Sequence, residues 1–290
     1  MNTVVFLTMD SLKNFECYDN LLIPPFNARG WAVEEISWRM ENVNWNDYDA
    51  VIVRSTWDYQ SDYKKFQEVL KSIDESSAVL FNDYKTLKWN MNKNYLRDLQ
   101  QMGVNIVPTI WEENLNTENL KNYFKYFRSE EIIIKPNISA NADNTFLLNK
   151  NNYMGFIPIL SATFNNLNFM VQPFLKNIIS EGEYSLFFFD GKYSHTILKT
   201  PKENDFRVQE EHGGIIKAIK SDQKKQKIAE EIISKLSPVP LYARIDLVRT
   251  DDDNFVLMEL ELIEPSLYFQ MDDDSPHRFV EAFIEKISKI

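Results

Sequence analysis

The amino-acid sequence predicts an α/β fold whose C-terminal part turns to α+β: a parallel sheet in the first part of the chain and strand-rich units after it. Three observations carry this. Short apolar runs alternate with stretches of helical period up to about residue 84. Strand patterns joined by hairpin turns dominate from about residue 170 onward. The chain has 290 residues, enough for two or three domains with a large core.

TVVFLTM (3–9) is a buried-strand run, WAVEEISW (31–38) alternates, and DYDAVIVRST (47–56) and AVLFND (78–83) add two more strands. Residues 63–73 read as a helix, with Phe66, Val69, Leu70 and Ile73 at helical spacing. Strands alternating with helices imply parallel pairing, and such sheets bind ligands at the carboxyl ends of their strands. TLKWNMNKNYLRDLQQMG (86–103) reads as one helix, with Leu87, Met91, Tyr95, Leu99 and Met102 on one face and Gly103 at its C-terminal end. VNIVPT (104–109) and EEIIIKPN (130–137) read as strands around a helix at 117–127, and FLLN (146–149) as a further strand. Strands follow in NFMVQPFL (168–175), EYSLFFFDGKYSHTILK (183–199, turning at DGK), LYARIDLVRT (241–250) and NFVLMELELI (254–263), with helices at 224–236 and 276–287.

Composition narrows the function. Asp plus Glu is 43 against 32 for Lys plus Arg, a net charge of −11, which argues against nucleic acid or an anionic membrane as partner. One cysteine, Cys17, excludes an intramolecular disulfide, and three scattered histidines argue against a His-cluster metal site. No run approaches the ~18–20 apolar residues of a membrane span, and the first residues lack a basic signal-peptide region, so a cytoplasmic enzyme is expected. Only seven glycines are present, and neither a Walker A nor a Rossmann phosphate loop occurs.

The most informative segment is LYARIDLVRTDDDNFVLMELELIEP (241–265). In its first strand Leu241, Ala243, Ile245 and Leu247 form an apolar face, with Arg244 and Asp246 opposite. In the second, Val256, Met258, Leu260 and Leu262 are assigned to the apolar face and Leu257, Glu259, Glu261 and Ile263 to the other. Paired as a hairpin, the strands bring Asp246, Glu259 and Glu261 together beside Arg244. Such a group needs solvent, protons or cations to relieve its repulsion. A solvated acidic face is one reading; a Mg²⁺ site of hard oxygen ligands is the other. Lys135 ends an apolar strand, as a snorkelling residue or a phosphate contact, and Lys93 sits on the face of its helix opposite Met91.

Taken in order, Lys93, KPNISA at 135–140, VQPFL at 171–175, GEYS at 182–185, ARID at 243–246 and ELELIEP at 259–265 resemble the ATP-grasp superfamily. RSTWDY at 54–59, NDFRVQEEHGG at 204–214 and ELELIEPSLYF at 259–269 are most similar to its glutathione-synthetase-like group and D-cycloserine-forming relatives. The resemblance implies an N-terminal preATP-grasp domain over 1–84 and two subdomains, 85–170 and 171–290, that clasp ATP, the last carrying the Mg site. It implies that Lys93 and Lys135 hold ATP phosphates, that the backbone around Gln172, Phe174 and Leu175 reads adenine, and that Glu183 binds ribose. Arg244 would stabilise the transferring phosphate, and Asp246, Glu259 and Glu261 would ligate Mg²⁺, two ions with Mn²⁺ able to substitute. Arg207 would bind the acylphosphate or a substrate carboxylate; Arg54, Ser55, Trp57, Asp58 and His212 are further substrate contacts, His212 also a candidate base. Two features depart from the family's pattern. Glu261 stands where many members have Asn, and the phosphate loop NISANADNT has no glycine, leaving Ser139, Ala140 and Ala142 as its small residues.

The function implied is an ATP- and Mg²⁺-dependent carboxylate–amine ligase that forms an acylphosphate and releases ADP and phosphate. Its partners are a small-molecule or peptide carboxylate and an amine. A phosphotransferase on the same fold and a non-catalytic ATP-binding regulator are the alternatives. A monomer and a homodimer both fit the sequence.

Overall fold

The computed structural model describes residues 1–290 other than Asn14, Asn141 and Asn204. Asn141 belongs to the phosphate-loop stretch and Asn204 to NDFRVQEEHGG, so these two positions lie outside what is described below.

The N-terminal unit comprises β1 (Asn2–Thr8), α1 (Ile23–Ala28), β2 (Trp31–Ser37), β3 (Ala50–Ser55), α2 (Tyr63–Asp74) and β4 (Val79–Phe81). Its four strands are all parallel, in the order β2-β1-β3-β4. Every residue of β3 is buried, because the strand is central and both faces are covered. One face packs Phe66, Leu70 and Ile73 of α2, and the other packs Phe279 and Phe283 of the C-terminal helix described below.

The predicted long helix at 86–103 is two short ones, α3 (Tyr84–Asn90) and α4 (Tyr95–Gln101). Asparagine side chains cause the break by competing for backbone groups. Asn90 turns away to hydrogen-bond Leu260 and Leu262, Asn92 caps Asn94, and the Lys93 N–H donates to the Asn137 carbonyl at 2.7 Å. Lys93 therefore sits in the break, buried, rather than on an exposed helical face; Met102 is exposed instead of joining the apolar stripe.

The central sheet comprises β5 (Ile110–Glu112), β6 (Glu131–Pro136), β7 (Phe146–Asn149) and β8 (Phe169–Pro173), in the order β5-β8-β6-β7, antiparallel throughout. Helices α5 (Leu120–Phe127) and α6 (Ile157–Thr163) supply its core through Leu120, Phe124 and Leu160. The expected division at residue 170 falls within β8. VNIVPT forms no named strand; it runs beside Leu257 through a single bridge at Ile106, with strand structure starting only at Ile110.

After α7 (Asn177–Ser180), the C-terminal sheet follows as β9 (Glu183–Phe189), β10 (Lys192–Thr200), β11 (Ile215–Ile219), β12 (Tyr242–Arg249) and β13 (Phe255–Glu261), in the order β11-β10-β9-β12-β13. Helix α8 (Gln223–Ile233) covers it through Ala229, Ile232 and Ile233, and α9 (Ser275–Ile287) packs back against the N-terminal sheet. Strand β11 was not expected: its IIKAI alternation is short and half-exposed. No helix among the described residues is long and apolar enough to cross a membrane.

One irregularity decides the chemistry of the C-terminal sheet. The β12–β13 register shifts between Asp246 and Leu247, whose partners are Glu259 and Leu257, so Met258 is the extra residue of a bulge. The predicted face of β13 therefore changes phase. Leu257 joins Leu260 and Leu262 in the core, while Met258 turns to the cleft side with Val248 and Phe174.

Candidate active site

A cleft opens between the central and C-terminal sheets, and the β3 loop closes one end. On its C-terminal wall, the β12–β13 pairing sets Arg244 opposite Glu261 and Asp246 opposite Glu259. Asp246, Glu259 and Glu261 each present an oxygen within 4.8 Å of the others. The acidic face thus lines a cleft, with Asp246 buried and Glu259 and Glu261 half-buried, and is not an open sheet surface.

Cations surround it. Arg244 donates to Asp246 at 3.0–3.1 Å and to Glu261. Lys93 is ion-paired with Glu259. Lys199, at the end of β10, bridges Glu183 at 2.5 Å and Asp246 at 3.3 Å, and Ser185 donates to Asp246 at 2.5 Å. Gly182 makes this approach possible: its φ is +112°, and a Cβ there would lie 2.6 Å from the Lys199 carbonyl oxygen.

The balance of burial and charge differs from group to group. For Asp246, burial favours the neutral acid, but Arg244 and Lys199 outweigh it and hold the pKa below the usual carboxylate range. Glu259 is likewise held low, burial being overcome by Lys93 and Lys135. Glu261 goes the other way: burial and the neighbouring Glu259 outweigh Arg244 and push it up to about 7. Lys135 has no ion pair among the described residues, and burial brings it down to about 8 against the pull of Glu259. Three converging hard oxygens, two of them held ionised and the third, Glu261, only partly compensated by Arg244, fit a Mg²⁺ site.

At the other end of the cleft, Phe174, Ile178, Val208 and Val248 form a small apolar cluster with Ile133, Leu175, Phe206 and Met258 around it. Gln172 is locked into β8 opposite Ile133 and donates to Thr109 at 3.0 Å. The Phe174 N–H is spent on the Glu131 carbonyl, so the hinge N–H without a partner among the described residues is that of Leu175.

Arg207 lines the cleft mouth, half-exposed and paired with Asp205 at 2.9 Å. Its loop returns to the sheet at Gly214, where a Cβ would lie 2.0 Å from the Val208 carbonyl. His212 is half-buried in a short turn and is not among the residues lining the cleft.

Besides His212, three expected substrate contacts, Arg54, Ser55 and Asp58, are not among the residues lining the cleft. Arg54 and Ser55 are each 1% exposed, Arg54 paired with Asp19 at 2.7 Å. Asp58 is taken up by Arg39 and by the Trp38 indole. The reason is topological: β3 is covered on both faces, and only residues past its carboxyl end, Trp57 and Tyr59, emerge at the cleft. Glu183, expected at ribose, lines the cleft with its carboxylate ion-paired to Lys199.

The cleft also holds groups the sequence reading passed over. Lys199 comes to lie opposite Glu183 through the register shift between Tyr193 and His195, which the DGK turn alone does not give. Glu264 lines the cleft just past the metal-site strand, its pKa held well above the usual carboxylate range by burial and by Glu261. Nothing in its spacing set it apart.

A family model described as D-cycloserine synthetase DcsG, N-terminal domain, matches residues 4–82. One described as prokaryotic glutathione synthetase, ATP-grasp domain, matches residues 100–267. The cycloserine biosynthesis protein DcsG of Streptomyces lavendulae is 26% identical over 274 residues, covering 89% of this chain and 90% of that protein. The crystal structure of D-cycloserine synthetase DcsG superposes with a TM-score of 0.87 at 23% identity, covering 99% of this chain and 100% of the other. The D-alanine–D-alanine ligase of Bacillus anthracis, complexed with ATP, gives a TM-score of 0.68 at 16% identity, covering 100% and 98%. The ordered lysines, the bulged acidic hairpin and these matches lead to one assignment: the chain has the ATP-grasp fold and belongs to the family of the prokaryotic glutathione synthetase ATP-grasp domain.

Proposed function

We propose that this ATP-grasp ligase activates a small-molecule carboxylate with ATP, forming an acylphosphate and ADP, and passes the acyl group to an amine with release of phosphate. The observation that carries the reading is the gathering of four cleft cations, buried Lys93, Lys199 and Arg244 and half-buried Lys135, about one carboxylate cluster. A carboxylate and a triphosphate repel each other, so the reaction needs positive charge and positioning more than a protein nucleophile.

The apolar cluster around Phe174 and Met258 receives the adenine, and the Leu175 N–H reads its edge. Lys93 and Lys135 hold phosphate oxygens, Lys135 supplying a charge that no carboxylate among the described residues pairs directly. Arg244 faces the transferring phosphoryl group and neutralises charge as the acylphosphate forms and collapses. In this reading Lys199, oriented by Glu183, steadies Asp246, and Glu183 acts as a positioning residue, which its ion pair with Lys199 supports. Arg207 closes over the acylphosphate from the cleft mouth. Asp246, Glu259 and Glu261 would hold two divalent ions, Mg²⁺ with Mn²⁺ as substitute, which when bound shield phosphate charge.

The test is a titration with a non-hydrolysable ATP analogue, with and without Mg²⁺, followed by ADP release in the presence of acid and amine. Metal-dependent binding and release requiring both partners support the ligase. A stable phosphorylated product formed without amine would make it a phosphotransferase, and binding without any turnover a regulator.

A further inference from the structure

Lys93 and Lys135 reach the cleft from different parts of the fold. Lys93 lies in the break between α3 and α4, and Lys135 lies near the end of β6. The break is tied to β13 on both sides. Asn90 donates to the Leu260 carbonyl and accepts from the Leu262 N–H, each at 2.8 Å, and the Tyr95 hydroxyl accepts from the Leu260 N–H at 3.0 Å. Lys93 is thereby fixed beside the carboxylates of β13. Lys135 belongs to the central sheet instead. Burial first, and the Lys93 ammonium after it, disfavour its charge, so the two lysines repel each other across the cleft.

Asn137 joins the two segments. It directly follows β6, is 3% exposed, and is not among the residues lining the cleft. Its carbonyl accepts from the Lys93 N–H at 2.7 Å, and its N–H donates to the Asn168 carbonyl at 3.0 Å. Its Nδ2 donates to the Asn94 Oδ1 at 3.1 Å. The Asn94 side chain is available for this because Asn92 already accepts from the Asn94 N–H at the start of α4. Asn137 Oδ1 is buried without a partner among the described residues, which costs stability. Stability alone does not favour an amide here; what the amide provides is the tie between the two lysine-bearing segments.

We infer that Asn137 is a positioning residue that holds the Lys93 segment against the end of β6, so that the two phosphate-binding lysines stand at one spacing before nucleotide arrives. The inference rests on the ligase reading, and within it only on the nucleotide site. Like charges on separate elements move apart unless the elements are tied, and a ligand that must draw them together binds more weakly. Loss of one buried neutral hydrogen bond corresponds to about a 5- to 10-fold change in affinity.

The experiment is a double-mutant cycle read by calorimetric titration with a non-hydrolysable ATP analogue and Mg²⁺, the analogue being taken to millimolar concentration. The four proteins are the parent, Asn137→Ala, Lys135→Met and the double variant. In the parent background Asn137→Ala is expected to weaken binding about 5- to 10-fold. In the Lys135→Met background the same substitution is expected to change the affinity less than about twofold, because the spacing has no effect once one lysine is gone. Melting temperatures supply the control: the drop caused by Asn137→Ala is the same in both backgrounds. Asn94→Ala removes the same hydrogen bond from its exposed partner and is expected to reproduce the affinity loss, which keeps the test decisive if Asn137→Ala does not fold. An equal affinity loss with and without the Lys135 ammonium would make Asn137 a general scaffold residue and overturn the inference. Unchanged affinity in Asn137→Ala and Asn94→Ala would overturn it too. Absence of nucleotide binding by the folded parent would instead overturn the ligase reading beneath it.

Discussion

Of the four cleft cations, Lys135 is the one without an ion pair among the described residues, and its replacement separates function from stability. Its ammonium ends β6 in the cleft, and burial lowers its pKa from 10.5 to about 8. At pH 7 it is charged in both folded and unfolded chains, so the shift is a penalty on the folded state. At 1.36 kcal/mol per pKa unit the full shift corresponds to about 3 kcal/mol. The side chain is only half-buried and water enters the cleft, so about 2 kcal/mol is the expected size. Lys135→Met keeps the length of the side chain and removes the charge. The nucleotide-free variant is expected to melt about 3–5 °C above the parent at pH 7. The sign reverses nowhere, but the difference fades: a lysine with a lowered folded pKa costs stability below about pH 8, and the cost vanishes as pH rises from 8 towards 10.5. The same variant is expected to lose at least tenfold in affinity for the ATP analogue. Melting curves at pH 7 and pH 10 with calorimetric titration decide it. A variant that is less stable than the parent at pH 7, or equally good at binding nucleotide, would refute the reasoning.

Glu259→Gln is expected to abolish Mg²⁺-dependent nucleotide binding, measured by titration with and without the ion, because it removes one of three converging ligands and the partner of Lys93. Arg54→Met should destabilise by about 3 kcal/mol, since Asp19 would stay buried and unpaired, and adding Asp19→Leu should recover most of it in denaturant titrations. His195, brought down to about 4 by burial, is protonated first in the unfolded chain. Its share of stability is therefore intact above pH 6.5 and lost as pH falls towards 4; His195→Gln should flatten the melting profile in that window. Burial and Asp19 push the Cys17 thiol up to about 12, so a disulfide reagent at pH 8 should modify it only on unfolding, at the unfolding rate.

The sequence made the carboxylate cluster legible because strand alternation needs no knowledge of the rest of the fold: Arg244 and Asp246, Glu259 and Glu261 are i, i+2 pairs whose faces follow from period 2. The same rule failed one residue earlier, at Met258, because a bulge depends on what the partner strand does. Lys93 was read on one continuous helix and lies instead in the break between two. The apolar spacing from Leu87 to Met102 matches a continuous helix, and only the asparagines bonding to β13 and to Asn137 break it. Arg54 and Ser55 were read as cleft residues from their position at a strand end. The all-buried pattern of AVIVRS placed them in a central strand instead, and the arginine entered the core with its own aspartate. Lys199 was hidden for another reason: its partner lies across a hairpin that itself carries a register shift between Tyr193 and His195.

The cluster's charge arrangement also explains why nucleotide and metal should act together. Lys93 and Arg244 are not waiting in solvent for phosphate; they are held by Glu259 and Glu261, the same carboxylates that fit a divalent ion. A phosphate that draws Lys93 and Arg244 to itself leaves two buried carboxylates uncompensated, which costs several kcal/mol per group unless another cation replaces them. Glu261, already pushed up to about 7, is the first that would otherwise take a proton. Each ligand therefore supplies what the other removes, and the coupling must be reciprocal. The glutamate at position 261 strengthens this exchange relative to a neutral asparagine, because it gives Arg244 a charged partner before phosphate arrives.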